Sequence, residues 1–331
     1  MSDLKKWLSP LLLLACCGLA QAKPAGFGEN PQIRNFIDEM VKEHHFDAAE
    51  LEKLFARTRR HQSILDAITR PAESKPWYEY RPIFLTRDRL EGGLRFWREN
   101  EDVLRRARET YGVPEEIIVA IIGVETRYGK HAGRYPVMDA LATLAFAYPP
   151  RSPFFRKELK EYLLMTREEG IDPLQQKGSY AGAMGMPQVM PSSFRQYAVD
   201  FSGDGQRDLW RNPADVIGSV ANYFKRHHWR SGEPIAFRVR VRGKAYKKLL
   251  GKNGRHLLKP HLSQQQLREH GVLLPRGLPA GMQASLIELQ GKNGPEQWVT
   301  WHNFHVISRY NHSALYSMSV FQLSEQLRNN R

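Results

Sequence analysis

Cysteine is nearly absent from this chain. Its 331 residues include two, Cys16 and Cys17, adjacent and close to the start. Both fall in a segment that reads as a removable leader, so the mature domain is expected to hold no disulfide and to rest on its core alone. Long apolar runs are missing too. No stretch approaches the roughly 18 residues that a membrane-spanning helix needs. There is no internal repeat and no low-complexity tract. The sequence also carries no zinc-finger spacing, homeodomain-like helix or RNA-binding aromatic signature, so the standard nucleic-acid modules are excluded. Acidic residues are the scarcer charge: 35 against 49 Lys and Arg, a formal net charge of +14. That excess fits a polyanionic neighbour. In an exported protein the carboxylate-rich cell wall is a better candidate than nucleic acid, and the alternative is a solvated basic surface of no special meaning.

What is present begins with a targeting segment over residues 1–22. "MSDLKKW" is basic, "LSPLLLLACCGLA" is a short apolar core, and "AQA" before Lys23 is a small-x-small cleavage site. A soluble periplasmic protein with its mature end at Lys23 is the preferred reading. "LLAC", ending at Cys16, offers the other: an outer-membrane lipoprotein anchored through that cysteine. Length and a 41% hydrophobic content allow two or three domains with a substantial core. Residues 23–110 read as a helical N-terminal domain, with "RPAESKPWYEYRPIF" as a Pro- and aromatic-rich loop of the kind that lines a groove. Residues 111–230 continue helical. Residues 231–303 change character: "EPIAFRVRVRG" alternates with period two, and "ASLIELQGKNGPEQWVTWHNFHVISRY" reads as further strands about a Gly-Lys-Asn-Gly turn. Residues 304–331 return as a final segment containing a helix. The expected class is mainly α with a small β-rich part (α+β).

One helix carries an anomaly. In "YGVPEEIIVAIIGVETRYG", Pro114 suits a first helical position, Glu115 and Glu116 favour the positive end of the dipole, and Gly129 is a plausible stop. Ile118, Ile121, Ile122 and Glu125 share one face at i, i+3, i+4, i+7. A carboxylate in an apolar stripe is either half of an internal salt bridge, with Arg127 or another arginine, or a general acid whose pKa the apolar setting raises. Periodicity leaves both open. Two further stretches bear chemistry. "GSYAGAMGMPQVMPSSFRQY" (178–197) mixes glycines with Ser179, Gln188, Ser192 and Ser193, a combination that suits sugar binding or a close-packed loop. "DFSGDGQRD" (200–208) resembles an EF-hand loop, with Asp200, Ser202, Asp204, Gln206 and Asp208 as candidate ligands of a structural calcium or sodium ion. Position 12 is Arg211 rather than Glu, and Asp215 is read either as the substitute ligand or as a helix cap.

Together, "GVPEEIIVAIIGVETRYG", "DALATLAFAYPPR", "GSYAGAMGMPQVMPSSFRQYAVDFSGDG", "GSVANYF" and "RYNHSALYSMSV" resemble the membrane-bound lytic murein transglycosylase B family from about Asn30 onward. The resemblance implies a lysozyme-like core with a flanking helical domain, a small β domain and an EF-hand-like loop. It implies cleavage of the β-1,4 bond between N-acetylmuramic acid and N-acetylglucosamine, with Glu125 as catalytic acid and base and no catalytic cofactor. Sugar contacts would come from Tyr80, Arg151, Ser179, Gln188, Tyr223, Tyr310, Asn311 and Tyr316. The implied partners are peptidoglycan glycan strands, alongside proteins of cell-wall synthesis or division, with the chain itself a monomer. Pro187 and Pro150 depart from the family's pattern, in which glycine and a second arginine are expected.

Overall fold

The computed structural model describes residue 27 and residues 30–69, 75–251, 258–278 and 281–331. The leader, both cysteines and both cleavage signals lie outside these residues. Helices α1 (Pro31–His44), α2 (Ala48–Arg57) and α3 (Gln62–Ile68) open the chain. Asn30 and Asp47 cap the first two, their side chains accepting from the Gln32 and Glu50 amides. The stretch read as a groove-lining loop contains a helix, α4 (Trp77–Phe84), which holds Pro82 in its second turn and so lacks the amide that would bond the Tyr78 carbonyl. α5 (Arg87–Glu99) and α6 (Glu101–Tyr111) are one charged sequence broken at Asn100, whose side chain bonds back to the Phe96 carbonyl.

At the centre is α7 (Glu115–Thr126), with Pro114 at its N-cap rather than inside its first turn. Nearly every residue of α7 is buried, and α5, α6, α11 (Pro213–Arg226) and α14 (Ala314–Asn329) pack around it. A helix apolar all round has no other stable place than a core. Glu115, in its first turn, accepts from the Trp97 indole at 2.8 Å and pairs with Arg108 and Arg331. The short strand β1 (Tyr135–Pro136) leads into α8 (Val137–Ala147). A 3-10 turn at Pro149–Arg151 then folds α9 (Ser152–Glu168) back against α8. β1 pairs antiparallel with β2 (Lys177–Gly178), and α10 (Pro191–Tyr197) follows.

The β-rich part is a four-stranded antiparallel sheet in the order β4-β3-β6-β5, from β3 (Ala236–Val241), β4 (Val272–Leu273), β5 (Ser285–Gly291) and β6 (Gly294–Thr300). Its register pairs Ile287 with Trp298 and Leu286 with Val299. Adjacent residues face opposite ways, so Ile287 and Trp298 meet α4 and α14, while Leu286 and Val299 cover α12 (Gln264–Glu269). "HNFHVISRY", read as strand, is helix α13 (His302–Tyr310). Trp301, Phe304 and Ile307 recur at intervals of three, a helical spacing that a window tuned to alternation overlooks. α14 then presents Tyr316, Val320, Leu323 and Leu327 to the main core, and Ala314, Met318 and Phe321 to the sheet. It is the element that joins the two. The protein is thus mostly helical with small antiparallel sheets.

Candidate active site

Glu125 occupies the last turn of α7, one residue before Thr126, and keeps partial exposure while Ile118, Ile121 and Ile122 have none. The helix stops there because Arg127, Tyr128 and Gly129 are all left-handed, with φ of 51°, 61° and 87°. The stop therefore comes two residues before the glycine that composition pointed to. Two such residues bearing side chains cost energy that other contacts must offset. The Tyr128 ring stacks on Phe96 at 5.6 Å, and its hydroxyl donates to the Arg89 carbonyl at 3.0 Å. A Cβ on Gly93 or Gly123 would collide with that hydroxyl, which is why glycines stand at both places. The Thr126 hydroxyl donates to the Met186 carbonyl at 2.8 Å and accepts from the Gly129 amide at 2.9 Å. Arg89, buried in α5, closes the turn: its Nε donates to the Gly123 carbonyl at 2.9 Å and an Nη to Ile83 at 2.6 Å. A guanidinium at a helix C-terminus also meets the negative end of the dipole. Sequence reading missed Arg89 and Tyr128. The paired Gly92-Gly93 was the one available signal, since it marks a close approach.

Among the described residues the carboxylate has no arginine partner. Its neighbour is the Tyr316 hydroxyl of α14, which donates to Oε1 at 2.6 Å. Burial pushes the Glu125 pKa up to about 7 and the Tyr316 hydrogen bond pulls against that rise. No second acid enters among these influences. Asp139 is committed to His61, at 2.7 Å, and to the Arg59 amide, and Asp172 caps the turn at Leu174. Tyr316 is itself buried, and burial together with the Glu125 charge holds its pKa well above the usual phenol range, so it stays a donor. Beside it stand Tyr310, whose hydroxyl donates to Pro187 at 2.6 Å, and Tyr223, whose hydroxyl donates to the Arg309 carbonyl at 2.6 Å. Their rings meet edge to face at 4.8 Å.

Opposite, the 178–190 loop is cinched by close contacts. A Cβ at Gly185, where φ is 68°, would lie 2.5 Å from the Leu209 carbonyl oxygen. Gln188, left-handed at 51°, spends both amide hydrogens on the Ala132 and Gly185 carbonyls, leaving Oε1 as an acceptor. Ser179 accepts from the Ala181 and Ala183 amides, and Ser192 is bonded to Glu158. The structure therefore gathers Tyr310, Tyr316 and Tyr223 beside Glu125. Tyr80 is mostly buried, in one cluster with Trp77 and with Ala314, Met318 and Phe321 of α14. Arg151 is exposed over the rings of Phe154 and Phe155, and Asn311 is exposed just past α13. A cavity of about 810 Å³ lies at the far end of α7, bordered by Glu116 and Ile117. Chemistry, not cavity size, makes Glu125 the candidate.

In the 200–208 loop, carboxylate oxygens of Asp200, Asp204 and Asp215 lie within 4.8 Å of one another. Asp200 gathers the amides of Gly203, Asp204 and Gly205 and the Ser202 hydroxyl, which holds its pKa below the usual range. Asp215 does not cap its helix; Asn212 does, accepting from the Ala214 amide. Fully buried Asp215 instead accepts from the Phe201, Ser202 and Asp208 amides, tying the loop to α11. Asp208 does not join the group of three. Its carboxylate holds the Trp210 and Arg211 amides. The Gln206 amide donates to Asp204.

Comparison with known proteins places this geometry. The chain is 46% identical over 309 residues to membrane-bound lytic murein transglycosylase B of Escherichia coli (strain K12), covering 90% of this chain and 83% of that one. It superposes on the soluble lytic transglycosylase SltB1 of Pseudomonas aeruginosa with a TM-score of 0.86 at 48% identity, over 91% and 99% of the two chains. It also superposes on the Escherichia coli lytic transglycosylase Slt35 in complex with calcium, with a TM-score of 0.84 at 44% identity, over 93% and 96%. The family model described as the transglycosylase SLT domain matches residues 28–325. The helix ending in a half-buried glutamate, the tyrosines gathered beside it and the small sheet beyond are all inside that span, and the chain belongs to the transglycosylase SLT domain family.

Proposed function

We propose that this protein is a peptidoglycan lytic transglycosylase. It cleaves the β-1,4 bond between N-acetylmuramic acid and N-acetylglucosamine and leaves 1,6-anhydromuramic acid ends, with Glu125 as its one acid and base. The observation that carries this reading is a lone carboxyl, raised to about 7 by burial and bonded at Oε1 by Tyr316. Paired-carboxylate glycosidases divide the work between two acids. With Tyr316 on Oε1, the proton sits on Oε2 and passes to the departing glycosidic oxygen as the bond to C1 breaks. Positive charge develops at C1. The same carboxylate then takes the proton of the muramic acid's C6 hydroxyl while O6 bonds to C1, which restores the acid. No water is consumed. The nucleophile is part of the reacting sugar, so a second base to position water is unnecessary.

Tyr310 and Tyr223 supply ring faces and edges for sugar stacking, and the acceptor oxygen of Gln188 suits a sugar hydroxyl. Ser179, Arg151, Asn311 and Tyr80 are assigned to outer contacts by resemblance alone. The loop's oxygen donors fit a hard cation such as calcium or sodium, held by Asp200, Asp204 and Asp215. Such an ion would fix the angle between α10 and α11 and takes no part in bond cleavage.

Export to the periplasm follows from the leader. N-terminal sequencing of the mature protein is expected to begin at Lys23, and a lipid-modified Cys16 would overturn that choice. Among the described residues no helix is long and apolar enough to cross a membrane.

Mass spectrometry of products from purified sacculi tests the reaction. Anhydro products lighter by one water than a hydrolase's are expected. Hydrated ends would make the protein a muramidase, and no released product from the wild type, with every phenotype left intact by Glu125→Gln, would make it a non-catalytic wall binder.

A further inference from the structure

A second cavity, of about 670 Å³, opens where α11 ends and α13 begins, and its walls are strongly basic. Arg230, Lys259 and Arg309 line it as permanent cations, and His227, His228, His302 and His305 complete the set. Among the described residues the one acid on its rim, Glu233, faces Arg230 at 3.4 Å. No carboxylate of the described residues pairs with Lys259 or Arg309. Like charges crowded together without counterions raise the energy of the fold, so such a concentration calls for an anionic occupant.

The cavity is constructed by the fold and is not a chance gathering of surface side chains. Fully buried Asn303 accepts from the Arg230 amide at 3.0 Å and donates to the Arg230 carbonyl at 2.7 Å. The His302 Nε2 donates to the His228 carbonyl at 2.8 Å, and His228 is held left-handed at φ 65°. These bonds clamp the end of α11 to the start of α13. The histidines also register the unneutralised charge. Burial first, then Arg309, His228 and His305, bring the His227 pKa down to about 4, and burial with Arg309, His302, Lys259 and His312 lowers that of His305.

The position of the cavity identifies the occupant. His227 stands 4.2 Å from the Tyr223 ring, and Tyr223 stands 4.8 Å from Tyr310, which lies beside Glu125 and Tyr316. The basic cavity therefore continues the tyrosine wall of the active site by two ring-to-ring steps. A glycan strand lying on that wall carries its own anions, the carboxylates of the peptide stems attached to muramic acid. A five-residue stem spans at most about 18 Å, enough to cross those steps. From this juxtaposition we infer that the cavity between α11 and α13 is a subsite for the carboxylates of the stem peptide. The inference rests on the peptidoglycan reading given above. It assigns Lys259 and Arg309 as residues that select stem-bearing over bare glycan.

The test uses the full-length mature protein and two substrates: stem-bearing glycan strands, and the same strands stripped of peptide by an amidase. Wild-type kcat/KM is expected to be about tenfold higher on stem-bearing strands, the worth of roughly one charge-assisted hydrogen bond. In a Lys259→Gln/Arg309→Gln double variant that ratio should fall toward one, through KM on stem-bearing strands. A Lys259→Arg/Arg309→Lys variant, which keeps both charges, should restore it, and thermal melting verifies that each variant is folded. Equal wild-type rates on the two substrates, or a double variant slowed equally on both, would overturn the subsite while leaving the transglycosylase intact. Anhydro products from neither substrate would instead overturn the function on which the inference rests.

Discussion

The Tyr316 hydroxyl donates to Glu125 Oε1 at 2.6 Å, across 191 residues of chain. The bond joins the end of the central helix to the C-terminal helix and sets the surroundings of the Glu125 carboxyl. An arginine in the same place would have held the carboxylate ionised. A neutral phenol favours the ionised form only enough to moderate the rise that burial imposes, and the acid is left poised near neutrality.

Tyr316→Phe removes that donor and leaves the ring. The carboxylate then loses that hydrogen bond, so its pKa moves further up. The alkaline limb of the kcat/KM profile, which reports loss of the proton from Glu125, should shift to higher pH. The plateau rate should also drop, because the carboxyl is no longer held in one orientation. An unshifted limb would show that a different group titrates.

Glu125→Gln should lower turnover by about 10²–10⁴-fold, the usual range for a general acid. It should also change stability in a pH-dependent way. The folded pKa, about 7, lies above the ordinary 4.5, so the folded state holds the proton more tightly than the unfolded chain. Below pH 4.5 both states are protonated and Glu125 imposes no penalty. As pH rises through 7 the penalty reaches its full size, at most about 3 kcal/mol. The variant cannot ionise, so its melting temperature should exceed that of wild type at pH 8 by more than it does at pH 4. An identical difference at both values would remove the case for a raised pKa.

Calcium should raise the melting temperature of the wild type, by about 2.7 kcal/mol of stabilisation at a hundredfold excess over its dissociation constant. Asp204→Ala takes away one of the three clustered carboxylates and should abolish the shift. Turnover at low temperature should survive chelation, because the loop bonds to α11 through Asp215 and not to Glu125. Loss of activity in fully folded, chelated enzyme would give the ion a catalytic role.

Gly123→Ala replaces a poor helix former with the best one, yet it should destabilise. The added methyl meets the Tyr128 hydroxyl and ring, which Phe96 and the Arg89 carbonyl prevent from moving. Overpacking of this kind costs about 1–3 kcal/mol, more than the roughly 1 kcal/mol that propensity returns. Combined with Tyr128→Ala, the same change should cost much less than the sum of the two single variants, as denaturant unfolding would measure.

The amino-acid order by itself determined where the helices start and which faces they bury. Asn30 and Asp47 cap the helices they precede, and the Ile118–Ile121–Ile122–Glu125 stripe lies in the core. Capping and periodicity are short-range effects, set by neighbours within one or two turns. The same short range misled at "HNFHVISRY", where a strand window ran on into a helix, and at "WYEYRPIF", where two prolines nearby masked one. Whether Glu125 would be paired or protonated was beyond any local window. That depended on Tyr316 arriving from the other end of the chain, and on Arg89 turning inward from a helix that reads as surface. The partners of Asp215 were decided in the same way, by a loop folding back onto its carboxylate. Hydrogen bonds and burial between distant segments exist only once the core has packed, and it is they that set the pKa on which the chemistry depends.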